Sequence, residues 1–307
     1  MKGLDKKGWQ WVSLLFLSFV WGASFILMKR GMYAFSYVQV GALRVFICFL
    51  VLLPFSIKNL KLVNKKNSII LIISGLLGNF FPAFLFTFSE TQISSSLAGI
   101  LNGLTPFFVV IIGVLAFGSK PSFLQYVGVF VGFVGASILI TNGDFTSFGS
   151  INMFVLPILL ATIMYGINAN IVRFKLLGLT GVQIISLTFF FIGPLAGGVL
   201  LFTDISTPFH SADFMSSLLS VAVLALFGSV ITLFIYYELI HRAGAIFASS
   251  STYIIPFFAL MWGFFYGENV RIIHLYSLLV ILLGVYLSGM KRRKNKSQNI
   301  HQKNLNN

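Results

Sequence analysis

The sequence predicts an all-α polytopic membrane protein whose ten transmembrane helices form two inverted five-helix repeats. Three observations carry the prediction. Hydrophobic residues make up 57% of the 307 and charged residues 9%, with a mean hydropathy of +0.94. That leaves too little polar surface to coat a soluble globule. Ten apolar windows of spanning length, roughly 18–25 residues, follow one another with short connections. The stretch Ser94 to Gly118, SSSLAGILNGLTPFFVVIIGVLAFG, also returns in near copy as SSSTYIIPFFALMWGFFYG at Ser249 to Gly267.

The chain begins with residues 1–8, a cytoplasmic amino terminus carrying Lys2, Lys6 and Lys7. The apolar run behind them imitates a signal peptide, yet it continues to Met28, is long enough to span, and holds residues that recur later. It is expected to stay as the first span. Helices are predicted at 9–28, 36–57, 68–89, 92–117, 122–140, 151–172, 181–202, 214–237, 245–266 and 271–290. The tail, 291–307, is polar and basic, with little to bury, and is expected to be disordered on the cytoplasmic side. A cytoplasmic amino terminus puts 17 Lys and Arg residues inside and only Lys29, Arg30 and Arg271 outside, with Arg44 within a span. The net charge of +14 therefore reads as a topology signal rather than a nucleic-acid surface. Cys48, the one cysteine, lies in an apolar run and reads as a packing residue.

An internal repeat sets the architecture. Trp21-Gly22 with Lys29 matches Tyr165-Gly166 with Arg173. Gly78 matches Gly228, Ala98 matches Ala248, Pro106-Phe107-Phe108 matches Pro256-Phe257-Phe258, Gly113 matches Gly263, and Gly135 matches Gly284. Each half, 9–140 and 151–290, holds an odd number of spans, so the second enters the membrane upside down. Inverted repeats of this kind place substrate between the halves near the midplane. Pro106 and Pro256 fall inside their apolar runs. A helix-interior proline frees the carbonyl four residues back, that of Asn102 or Thr252, which in hydrocarbon must find a partner. The pair marks a lined cavity and supplies its hinges.

Trp21-Gly22-Ala23-Ser24-Phe25 with Lys29, Leu43-Arg44, Leu104-Thr105-Pro106, and Tyr253-Ile254-Ile255-Pro256 through Gly267-Glu268 resemble the EamA-type transporters of the drug/metabolite transporter superfamily. The resemblance covers the chain to about Met290. It implies a ten-helix inner-membrane carrier with both termini cytoplasmic, exporting amino acids or other small metabolites. The first copy reads Gly118-Ser119-Lys120 where the family has Gly-Glu, as at Gly267-Glu268. No role can then require both acids.

Substrate contact is expected from polar and aromatic residues inside the apolar runs: Trp21, Ser24, Asn79, Asn102, Thr105, Tyr165, Asn168, Tyr236, Tyr237, Tyr253 and Trp262. The bland alternative for each is interhelical hydrogen bonding or core packing. Arg44 joins the set as an anchor for an anionic group, against the alternatives of snorkelling or pairing with helix carbonyls. Glu90 and Glu238 are expected at the ends of helices three and eight, as gate residues or interfacial caps. None of the seven acids falls at a span centre, which argues against a proton relay or a buried acid holding a cation. His274 stands without ligand-spaced neighbours, so no metal site is expected. No nucleophile and base with an acid orienter stands out, so neither a cofactor nor an enzymatic activity is expected. Gly128 with Gly132, and Gly284 with Ser288, place small residues one turn apart, for packing within the chain or in a homodimer. The expected function is a secondary transporter, running as an exporter of small polar metabolites such as amino acids by alternating access. Its partners would be a small-molecule substrate and the lipid bilayer. The alternatives are a multidrug or aromatic-cation exporter and a non-transporting membrane subunit.

Overall fold

The computed structural model describes residues 7–140, 153–204, 206–267 and 272–289, and these are helices and short connections. The helices are α1 (Lys7–Gly31), α2 (Tyr37–Asn59), α3 (Lys65–Ser89), α4 (Ser95–Phe117), α5 (Phe123–Ile140), α6 (Val155–Lys175), α7 (Gly181–Leu201), α8 (Phe214–Ala243), α9 (Ala245–Phe265) and α10 (Ile272–Gly289), with a short turn of helix at Ser206–Phe209 before α8. Among the described residues, eight are long and apolar enough to cross a membrane; α5 and α10 carry the shorter apolar stretches Phe123–Gly135 and Leu275–Gly284. Their outer faces present Phe123, Phe130, Leu279 and Tyr286, all more than 60% exposed. So much apolar side chain facing outward is stable in lipid and not in water.

Local sequence sets the helix starts. Ser36 caps α2 in a reciprocal box with Gln39, and Thr180 caps α7 in the same box with Gln183. The two boxes satisfy otherwise orphaned amides and lie 144 residues apart, as do Trp21 and Tyr165. The second half of each repeat is offset by 150 residues instead, as in Gly78 and Gly228. At that pair both α3 and α8 loosen into a π-helical turn, Leu76–Phe80 and Leu226–Ile231.

Packing repeats the correspondence across the halves. α1 lies along α9 and also contacts α8; α6 lies along α4 and also contacts α3. Gly22 lets α1 approach the backbone at Phe258 and Ala259, and Gly166 lets α6 approach the backbone at Phe108 and Val109. α2 crosses α7 antiparallel, Phe46 meeting Gly197, Phe49 meeting Gly193 and the Ser56 hydroxyl donating to the Ser186 carbonyl at 2.7 Å. α5 and α10 are antiparallel too, with Gly284 against Gly128 and Gly132 and Gly135 against Ile281. Those glycines are thus engaged within the chain. The main core gathers α2, α6, α7 and α8 around Cys48, Phe189, Tyr237 and Ile240. Cys48 is wholly buried there, its thiol against the Ala225 carbonyl at 3.3 Å.

Three sequence expectations are corrected. The fourth helix is not continuous but breaks at Gly103 and Leu104, so Pro106 lies in the first turn of the resumed helix. The carbonyl of Asn102 is taken by the Thr105 hydroxyl at 2.8 Å. The ninth breaks at Ser250, and Pro256 lies inside the helix that follows. α8 runs on to Ala243, because Leu239 and Ile240 continue its buried face, so Glu238 sits more than a turn inside its end.

Candidate functional site

The helices leave a partly open pocket between them, about 710 Å³ counting the solvent space at its mouth. α1 supplies Trp21, Ser24, Phe25 and Met28; α2 supplies Arg44; α3 supplies Gly78, Asn79 and Phe86; α4 supplies Asn102 and Thr105. From the other half, α6 adds Tyr165 and Asn168, α8 adds Gly228, Leu233 and Tyr236, and α9 adds Thr252. The mixture of aromatic walls with a few polar groups is what small-molecule sites use.

Arg44 carries the one formal charge among these lining residues. Its Nε donates to the Ser229 hydroxyl at 2.9 Å and its Nη1 faces the Met28 sulfur at 3.9 Å. A guanidinium within a span costs about 2.5–3.5 kcal/mol, and one charge-assisted bond returns about 1.5–3 kcal/mol. Among the described residues no carboxylate lies within ion-pair distance of it; Glu238 pairs with Arg242 at 3.4 Å. Both partners are side chains rather than helix carbonyls.

Both π-helical turns border the cavity, through Gly78 and Asn79 in α3 and Gly228 in α8. The Trp21 indole N–H donates to the Gly228 carbonyl at 3.1 Å, and its ring meets Tyr236 edge-on at 5.3 Å. In the other half the Asn168 amide receives the Ser74 hydroxyl at 2.6 Å and donates to the Tyr237 hydroxyl at 3.4 Å. Gly78 and Gly228 leave room for Asn168 and Ser24 respectively, where any Cβ would collide. Tyr165 stacks on Phe86 at 6.0 Å. The side-chain nitrogen of Asn79 is buried with no hydrogen bond of normal geometry, the Tyr237 hydroxyl being its neighbour.

Nine of the twelve substrate candidates named from sequence thus meet in one place. Tyr237, Tyr253 and Trp262 do not line it. Tyr237 lies fully buried behind Asn168. Tyr253 packs against Gly132 of α5, and Trp262 against Phe19 and Phe265. Ser229 was missed, although the 150-residue offset pairs it with Asn79. Phe25, Met28, Phe86 and Leu233 carry no signal separating them from other apolar residues.

Glu90 follows α3 with 1% of its surface exposed. Glu238 receives the Gly181 backbone N–H at 2.8 Å, tying α8 to the start of α7. Neither lines the cavity. Asp204 sits on the α7–α8 connection, where the hydroxyls of Ser206 and Thr207 hold its carboxyl down at about 2. Among the described residues no cluster of His, Cys, Asp and Glu has metal-binding geometry. Glu268, Arg271 and the side chain of His274 lie outside the described residues.

A many-helix apolar body around a cavity of aromatic walls and a few polar groups defines a multi-pass membrane protein with room for a solute. The EamA-like transporter family matches the chain twice, over residues 9–141 and 152–290, and the chain belongs to that family, within the drug/metabolite transporter superfamily. It is 25% identical over 283 residues to the uncharacterized inner membrane transporter YedA of Escherichia coli strain K12, covering 90% of this chain and 89% of that one. The match to the same transporter of Escherichia coli O157:H7 has the same extent. A solved crystal structure shares the fold with a TM-score of 0.67 at 12% identity, covering 92% of this chain and 97% of the other.

Proposed function

We propose that this transporter is a ten-span inner-membrane exporter of small polar metabolites such as amino acids, working by alternating access. Its two units, 9–140 and 151–290, would be inverted copies, with residues 1–8 and 291–307 in the cytoplasm. The observation that carries the reading is the cavity, lined by both halves around polar groups and one cation. The inverted relation is supported by the antiparallel packing of corresponding helices, α2 with α7 and α5 with α10. Rocking of one half against the other would open the cavity to each side in turn. The broken fourth and ninth helices, with Pro106 and Pro256 beside the breaks, are the natural hinges. Glu90 and Glu238, both toward the carboxyl ends of the corresponding helices α3 and α8, are candidate gates that inversion would put on opposite sides of the membrane.

The test is counterflow in vesicles reconstituted with purified protein and preloaded with amino acids. Saturable uptake of labelled amino acid above protein-free vesicles is the expected outcome. Absence of flux for the whole amino-acid set removes this substrate class. The aromatic walls, Trp21, Tyr165 and Tyr236, favour a second reading as an exporter of aromatic cations. Competition between zwitterions and lipophilic cations separates the two.

A further inference from the structure

The cavity has a definite electrostatic character that narrows its solute. Its lining holds one guanidinium and no acid. Arg44 Nε is fixed by Ser229 on the π-helical turn of α8, so the guanidinium is oriented from the opposite half of the molecule. Its Nη1 has only the Met28 thioether, a weak acceptor, at 3.9 Å. Among the described residues no carboxylate pairs with it. The side-chain nitrogen of Asn79, also a lining residue, is a second buried donor with no hydrogen bond of normal geometry, the Tyr237 hydroxyl being its neighbour. A positive wall with unspent donors, surrounded by the rings of Trp21, Tyr165 and Phe86, repels cations and calls for an acceptor that carries negative charge.

We infer that the cavity takes solutes through a carboxylate group, seated on Arg44 with Asn79 as second donor, the apolar or aromatic body lying against the ring walls. The inference rests on the transport reading above and deepens it. A planar carboxylate fits the guanidinium fork with two parallel hydrogen bonds. A phosphate dianion is poorly matched, because the lining offers a single cation. The same chemistry admits a zwitterionic amino acid and a simple monocarboxylate. Backbone carbonyls, side-chain amide oxygens and ring faces could hold the ammonium of the former.

Three probes with one body and different heads test the assignment: 3-phenylpropionate, phenylalanine and 2-phenylethylamine. Binding to purified protein is measured by calorimetry in detergent, and flux in reconstituted vesicles. The two carboxylates are expected to bind and the amine not to. Arg44→Gln should weaken carboxylate binding about tenfold or more, while Arg44→Lys, which keeps the charge but loses the fork, retains part of it. Both variants are first checked for an unaltered size-exclusion profile and melting temperature. Arg44→Gln that fails this check is replaced by Arg44→Lys, which must still weaken the carboxylates relative to wild type. Preference for phenylalanine over phenylpropionate identifies the zwitterion as the form taken, and the reverse identifies the monocarboxylate; either supports the inference. It is overturned if the amine binds as well as the carboxylates, if neither carboxylate binds, or if the Arg44 variants leave their affinity unchanged. Saturable flux of the amine that ignores Arg44 would leave the transport reading standing and remove only the carboxylate assignment.

Discussion

Glycine at four points decides how closely the helices approach. An ideal Cβ at Gly22 would lie 2.5 Å from Phe258 Cβ and 3.1 Å from the Ala259 backbone nitrogen; at Gly166 it would lie 2.9 Å from the Phe108 carbonyl carbon. Backbone cannot swing aside as a flexible side chain can. Gly22→Ala and Gly166→Ala are therefore expected to lower stability by about 1–3 kcal/mol each, read as a fall in melting temperature in detergent. Gly8→Ala, with nothing within 4 Å of the new carbon, should leave it unchanged. Gly78 and Gly228 differ because the atoms they make room for belong to the cavity side chains Asn168 and Ser24. There, alanine would disturb solute access more than folding. At this scale the sequence was legible where a polar residue stood in an apolar run, as with Arg44, Asn79 and Asn168. It was not legible for Phe25 or Phe86, since which face of a helix lines a void depends on the neighbours.

At the scale of elements, the paired π-helical turns of α3 and α8 and the paired breaks in α4 and α9 concentrate irregular backbone around the cavity. Extra or missing backbone bonds in hydrocarbon are tolerated where protein or a cavity takes them up. The Asn102 carbonyl is taken up by Thr105, so removing Pro106 restores little that is lacking. Pro256 stands inside its helix, and Pro256→Ala would let the residue-256 amide bond back to the Thr252 carbonyl. Both substitutions are expected to slow flux in vesicles while leaving membrane insertion intact, Pro256→Ala the more strongly. Wild-type rates in both variants would remove the hinge role. The capping boxes at Ser36 and Thr180 were within reach of sequence reasoning, since their residues sit three apart at a constant offset. The π-helical turns were not, because one additional residue in a turn changes no hydrophobic period detectably.

For the whole molecule, the exchanged packing of α1 on α9 and α6 on α4 makes each half complete the other's wall. Neither half alone encloses the cavity. If the halves are inverted, corresponding connections must face opposite sides of the membrane. In a Cys48→Ala background, Tyr33→Cys on the α1–α2 connection should react with an impermeant maleimide in intact cells. Leu177→Cys on the α6–α7 connection should react only after permeabilisation. Both positions are more than half exposed, so labelling of both from one side would overturn the inversion, and protection of Tyr33→Cys in intact cells would overturn the cytoplasmic amino terminus.

By itself the sequence determined that this chain lives in a bilayer and that the family's unit recurs in it. Hydropathy and recurrence are properties of residues and their spacing, and they survive without a partner to pack against. Only the tertiary structure decided which polar side chains share one cavity, that Arg44 is held by Ser229 from the other half, and that Tyr253 and Trp262 do not line the cavity. Those outcomes follow from the angles and registers at which ten helices cross. Close packing sets those angles from many small contacts at once, and no single stretch of sequence contains them.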